Sequence, residues 1–170
     1  MSLFWTPLLA DHGKLLAKDI RPACAYECSM ERVHPDHAAW VWLARWEGKP
    51  GAVGRALWSP CGNRLLAIGG ARPFHVSDDG VHAKIWMLTT NALDDHAKAF
   101  MVFSRWFMRE WAPAHYAELA NVVPERNRRA QRWLTALGFD FGPAFVHRSG
   151  ERVLPFGWKR LTAQRAAAGP

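Results

Sequence analysis

The chain of 170 residues carries 22 Lys and Arg against 15 Asp and Glu, a formal net charge of +7, and is 49% hydrophobic and 22% charged. That balance excludes a disordered chain, and the length suits one domain that buries about two-thirds of its unfolded surface without a metal or disulfide staple. No apolar run approaches the roughly 20 residues of a membrane span, and residues 1–10 lack the basic region and small-residue cleavage site of a signal peptide.

In chain order, residues 3–9 read as a first strand ending near Pro7. Residues 11–20 follow as a helix with Leu15, Leu16 and Ile20 apolar, and Arg21-Pro22 marks its end or a kink. Cys24 and Cys28 are spaced to share a helix face as small half-buried thiols. With Cys61 they form an odd, irregular set, which predicts free cysteines in a reducing compartment. A second helix is predicted over 35–46, with Pro35 in its first turn and Trp42 and Trp46 on one face. After the break at 48–51, the period changes. Strands at 53–58 and 65–69 flank a turn, a second turn falls at 77–80, and a strand follows at 82–90. In the last of these Ile85, Met87 and Thr89 alternate with Lys84, Trp86 and Leu88, completing an antiparallel meander.

Residues 94–111 form the clearest helix. Asp94 and Asp95 complement the dipole of its first turn, Phe100, Phe103, Phe107 and Trp111 keep a helical stripe, and Pro113 is expected to stop it. A strand over 115–122 precedes a helix over 124–137, with Pro124 in the first position and Gly138 as its C-terminal cap. Its stripe is Ala130, Trp133, Leu134 and Leu137, with Arg126, Arg128, Arg129 and Arg132 on the polar remainder. Residues 141–148 and 152–158 read as a hairpin around Ser149-Gly150, and 161–170 as a flexible tail, leaving 1–160 as one domain. The ten tryptophans follow no fixed period, which excludes a repeat array; most belong in the core and a minority in a groove or interface. The whole describes an α+β domain with a mixed, mostly antiparallel twisted sheet of about six to seven strands flanked by about four helices.

That element order resembles the GNAT acetyltransferase superfamily, and so does the stretch 127–139: an Asn, an amphipathic helix, and the ending Leu137-Gly138-Phe139. Four segments narrow the resemblance: Asp-Ile-Arg-Pro-Ala at 19–23, Leu-Ala-Ile-Gly-Gly at 66–70, Ile-Trp-Met-Leu-Thr-Thr at 85–90, and Leu-Ala-Asn-Val-Val at 119–123. In order and spacing they are similar to a family of GNAT-like proteins of tailed phages that includes a small internal virion protein of short-tailed phages. The similarity spans residues 15–160. It implies a V-shaped opening between the strands at 85–90 and 117–122. It also implies that Leu88, Thr89 and Thr90 hold the pantetheine arm of acetyl-CoA. The loop of Thr90, Asn91, Ala92 and Leu93 with the next helix N-terminus would hold the pyrophosphate, and Asn121 and Asn127 would join the cofactor site.

Two departures from the family pattern point to lost catalysis. Between Leu88 and His96 there is no glycine and no arginine, and Asp94 and Asp95 repel a pyrophosphate. Leu134 stands seven residues after Asn127, where many active members place a Tyr that protonates the thiolate. Asn127 also suits a plain helix cap. Glu27, His82, His96 and His115 are possible bases, and the sequence selects none of them as catalytic. His34 and His37 lack further ligands, so no metal is expected. There is no nucleophile elbow, P-loop or dinucleotide fingerprint. The basic excess is local: residues 1–120 hold 13 basic and 12 acidic side chains, residues 121–170 hold 9 and 3.

The expectation is therefore a phage GNAT-like protein, catalytically degenerate, serving as a virion-associated or interaction component in the virion or host cytoplasm. Its partners would be phage virion proteins. An active acyl-CoA-dependent N-acetyltransferase of a host or phage amine is the first alternative. A basic accessory protein touching phage DNA through the C-terminal third is the second.

Overall fold

A computed structural model describes residues 3–160; the expected tail at 161–170 lies outside the described residues. Strand β1 (Phe4–Pro7) leads into helices α1 (His12–Ala17) and α2 (Pro22–Met30). A 3-10 turn (Pro35–His37) then opens α3 (Ala38–Trp46). The meander is β2 (Val53–Trp58), β3 (Leu65–Ser77) and β4 (Gly80–Thr89). A 3-10 segment (Asn91–His96), α4 (Ala97–Trp106), a π turn (Phe107–Trp111) and α5 (Ala112–His115) make one helical arm. Then come β5 (Glu118–Pro124), α6 (Arg128–Ala136), β6 (Asp140–Phe141), β7 (Phe145–Val146) and β8 (Arg152–Lys159).

One sheet runs β1-β2-β3-β4-β5-β8-β6, with β7 also on β8. Every pairing is antiparallel except β4 with β5. It has more strands than the sequence reading because β6 and β7 are only two residues each. Side-chain alternation divides its faces as expected on β4. Trp86 and Leu88 pack toward α1 and α3 with Leu16, Ala39, Trp42 and Ile68. Ile85 and Met87 face the other way, toward α4 and α6. Gly54 lets Trp42 lie flat on β2: a Cβ there would stand 2.5 Å from the indole Cζ3. Most tryptophans are at least half-buried, while Trp40 is 59% exposed. No helix among the described residues is long and apolar enough to cross a membrane.

Four local expectations are corrected. Pro22 opens a helix where a break was read: at the first position its missing N–H forfeits no bond. Periodicity did not mark α2 because its buried positions are Cys24 and Cys28, with no aliphatic stripe. Strand β3 continues past Gly69 to Ser77, carrying an irregularity between Pro73 and His75 that leaves Phe74 unpaired. Pro113 does not stop the arm. The preceding π turn resets the hydrogen-bond register, and Pro113 falls in the first turn of α5. Pro124 ends β5 opposite Val153 instead of opening α6, which begins at Arg128.

Candidate functional site

Strands β4 and β5 pair through three residues each, His82–Lys84 against Glu118–Ala120, and then diverge. Asn121 sits at the fork, its Nδ2 donating to the Ile85 carbonyl at 2.7 Å. Backbone groups alternate edges along β4. The Thr90 N–H turns to β3, donating to the Leu66 carbonyl, while the Ile85 and Thr89 carbonyls bond on the opposite edge. Met87 is in phase with Ile85 and Thr89. Its N–H and C=O therefore face the fork, where β5 no longer pairs.

A cavity of about 390 Å³ passes through this fork. On the α4 and α6 side its floor is β2 and β3 and its roof includes Phe100, Phe103, Trp133 and Leu134. It also reaches Cys24 and Glu27 on α2, with Arg21 at the lip beside Asp94. Glu27 and Met87 thus border one opening.

Glu27 is the half-buried carboxylate on that cavity. Asn127 Nδ2 donates to Glu27 Oε1 at 2.9 Å, and Asn127 Oδ1 accepts the Ala130 N–H at 3.2 Å, capping α6. One asparagine therefore starts the helix and orients the acid. Burial pushes the Glu27 carboxyl above its ordinary value, opposed by the Asn127 hydrogen bond. Burial likewise raises the Cys24 thiol, which receives the Thr89 N–H at 3.3 Å, and pushes Cys28 up to about 12. Both stay protonated at neutral pH.

Of residues 88–92 only Thr89 lines this cavity; Thr90 and Ala92 border a separate hollow beside Leu15 and Trp58, and few of the segment's polar groups are free. Leu88 packs with the α1 and α3 cluster. The Thr89 carbonyl accepts the Arg21 N–H at 3.0 Å, and Thr90 Oγ1 donates to the Leu65 carbonyl at 2.8 Å. Asp19 takes the next two amides: its carbonyl accepts the Asn91 N–H at 2.9 Å and its Oδ2 the Ala92 N–H at 3.1 Å. Asn121 and Asn127 both line the cavity.

The aspartates read as repulsive are compensated. Asp94 accepts from Arg129 and from Arg21, the latter at 2.5 Å, and these guanidinium groups hold its carboxyl below the usual range. Asp95 pairs Arg64 at 2.9 Å. Partners 73 and 35 residues away explain why the sequence did not reveal this, and the same distance hides Asp19. Met87, by contrast, was within reach: its alternation with Trp86 groups it with Ile85 and Thr89 on one side of the strand.

Among the possible bases, only Glu27 lines the cavity. His82 lies at the paired end of β4, between Glu118 (2.9 Å) and Asp79 (3.1 Å), which raise its pKa. His115 stacks on Trp111 at 4.0 Å, and His96 ends the 3-10 segment. His34 and His37 share Asp36, and no group of three metal-type ligands occurs among the described residues. The basic C-terminal third is largely paired: Arg126 with Glu151, Arg148 with Glu31, Arg152 with Glu125, and Arg160 with two backbone carbonyls.

No family model matches the chain, and no curated protein matches it. Solved structures do. A spermidine N-acetyltransferase chimera of Vibrio cholerae SpeG and hSSAT has TM-score 0.69 and 10% identity, covering 99% of this chain and 100% of that one. A GNAT-family acetyltransferase from Streptococcus pneumoniae has TM-score 0.59 and 11% identity, over 93% and 99% of the two chains. The yncA protein of Salmonella typhimurium, solved with its cofactor acetyl-CoA, has TM-score 0.63 and 8% identity over 95% of each. At such identities the likeness speaks for architecture, and the forked sheet described above is that architecture: the chain has the fold of the GNAT acetyltransferases.

Proposed function

We propose that this chain binds acyl-CoA in the fork between β4 and β5 and transfers the acyl group to an amine entering from the α2 side. One observation carries the reading: the half-buried Glu27 carboxylate lines the same cavity at the fork as Met87, whose edge β5 leaves unpaired. The fold's likeness to yncA, solved with acetyl-CoA, supports the choice of ligand. The residues fit it. Met87 offers an N–H and a C=O to an extended amide-bearing arm, and Arg21 and Arg129 stand at the lip for phosphate.

When bound, acyl-CoA supplies a carbonyl activated as a thioester, at which the amine nitrogen forms a C–N bond while the C–S bond breaks and the sulfur leaves as thiolate. The Met87 N–H is a fixed donor for charge that develops on the carbonyl oxygen. Glu27 accepts the proton that the amine nitrogen loses, its raised pKa bringing it nearer to the working pH. Asn127 holds the carboxylate in place. Leu134 has no proton to give, so the thiolate is protonated from solvent.

The test is calorimetry with acetyl-CoA at low and moderate salt, followed by thiol release against a panel of primary amines. Saturable one-to-one binding, with amine-dependent release lost in Glu27→Gln while binding persists, is expected. No heat at either salt overturns the reading.

A second reading rests on the two amides held by Asp19 and on Leu134: a GNAT-shaped phage virion component without efficient catalysis. It predicts the chain in purified virions by mass spectrometry and no thiol release with any amine.

A further inference from the structure

Resting on the acyl-CoA reading, we propose that the hollow beneath α4 holds the donor's acyl chain, and that this chain is of medium length rather than acetyl. The cavity does not stop at the fork. Beyond Met87 on β4 it continues under α4 across β3 to Leu57 on β2 and Trp5 on β1. Three strand spacings of about 4.8 Å make that span roughly 14 Å. An extended chain advances about 1.2 Å per bond; with about 2 Å of van der Waals clearance set aside at each end, the span accommodates some eight to ten carbons.

The floor is hollow because of what β3 presents there. Its residues facing α4 are Ala67, Gly69 and Ala71. Gly69 is held to glycine by its neighbour: a Cβ would stand 2.8 Å from the Trp86 carbonyl oxygen. The far end is aromatic. Trp5 meets Phe103 at 5.4 Å and Trp111 at 5.5 Å, both edge-on. The polar groups on this stretch are already engaged. Ser104 Oγ donates to the Phe100 carbonyl at 2.8 Å, and Arg55 Nη1 donates to the Gly54 carbonyl at 3.0 Å with its guanidinium over Trp5. Such walls offer ordered water little and hydrocarbon much; for scale, an apolar cavity of about 150 Å³ holds a benzene ring.

The occupant is the donor's chain and not part of the acceptor. The hollow runs beneath α4 to Leu57 and Trp5, whereas Glu27, beside which the amine must stand, is held by Asn127 at the fork end of the cavity. A thioester held at Met87 has the hollow as its apolar continuation.

The experiment is calorimetry of coenzyme A, acetyl-CoA and octanoyl-CoA on the full chain and on Ala67→Leu, which fills the floor. Each methylene moved from water to apolar contact strengthens binding about fourfold, so six of them, half realised, give about 60-fold. Octanoyl-CoA is expected to bind at least that much tighter than acetyl-CoA. In Ala67→Leu the preference should collapse while coenzyme A binding persists. Equal affinity for the two thioesters overturns the chain-length proposal and leaves the acyl-CoA reading standing. No binding of any of the three overturns both. If Ala67→Leu fails to fold, Phe103→Ala probes the roof. It should bind dodecanoyl-CoA several-fold tighter than the unmodified chain does, and an unchanged affinity overturns the proposal.

Discussion

Asn127 performs two jobs through two atoms, and replacing it by serine and by alanine separates them. Its Oδ1 caps α6 through the Ala130 N–H, and its Nδ2 donates to Glu27. Serine can keep the cap and lose the donor to Glu27; alanine loses both. A lost cap costs about 1 kcal/mol, which in a domain of this size lowers the melting temperature by about 2–4 °C. The bond to Glu27 is charge-assisted when the acid is ionised, and its loss costs about 1.5–3 kcal/mol, toward the lower end at a half-buried site. Burial raises Glu27 and the Asn127 bond lowers it, so both variants raise its pKa further. A carboxyl whose folded pKa lies above its unfolded value stabilises the fold at low pH. That contribution disappears as pH rises through the folded pKa. The deficit shared by both variants should therefore widen from pH 5 to pH 8, while the alanine–serine gap stays constant. Thermal melts across pH and carbon-detected NMR titration of labelled Glu carboxyls read both. A Glu27 pKa that stays put or falls in Asn127→Ser refutes the orientation argument, and coincident melts of the two variants refute the cap.

Glu27→Gln retains an acceptor for Asn127 and removes the buried charge. It should melt higher than the unmodified chain at pH 8, equally near pH 4, and release thiol from an amine-dependent assay at least about 100-fold more slowly. Gly54→Ala forces the Trp42 indole off β2 and should destabilise by about 1–3 kcal/mol in a urea titration; an unchanged midpoint would mean that Trp42 is not packed as described. Asp94→Asn frees Arg21 and Arg129 at the lip of the fork. It should tighten coenzyme A binding several-fold at low ionic strength, with the gain fading as salt rises. Weaker binding would mean those guanidinium groups do not face the ligand.

The meander and the last helix were legible because their signals are local. Period-two alternation over 82–90 and the stripe Ala130, Trp133, Leu134 and Leu137 each follow from one element packing one face. What failed was proline. Pro22, Pro113 and Pro124 were each read from the general rule that proline bounds helices, but side and register depend on the turns before them. Of the site, Asn127 and the position of the fork were readable from the family resemblance. Glu27 was one base among four until α2 carried it to the cavity. Asp19 and the Arg21–Asp94–Arg129 group join elements far apart in sequence, and no periodicity encodes such pairings.

Those pairings also change what the lip of the fork offers an anion. Read along the chain, residues 88–96 contain no glycine and two adjacent aspartates, which argues against phosphate. In space the segment is different. Asp94 stands between two guanidinium groups and Asp95 faces a third, so the aspartates' charge is balanced before any ligand arrives. The Asn91 and Ala92 amides, which glycines would expose to a phosphate, are satisfied by Asp19. Glycines are needed in such a loop so that backbone can approach the anion closely. Guanidinium groups reach out from the scaffold and need no such approach. On the proposed reading, a lip built from Arg21 and Arg129 would bind phosphate by exchange: the ligand's oxygens would replace the Asp94 carboxylate on the same donors. Affinity at such a site is a difference between two ion pairs, which makes it weaker and more salt-sensitive than a backbone cradle. It also makes Asp94, rather than any missing glycine, the residue that sets it.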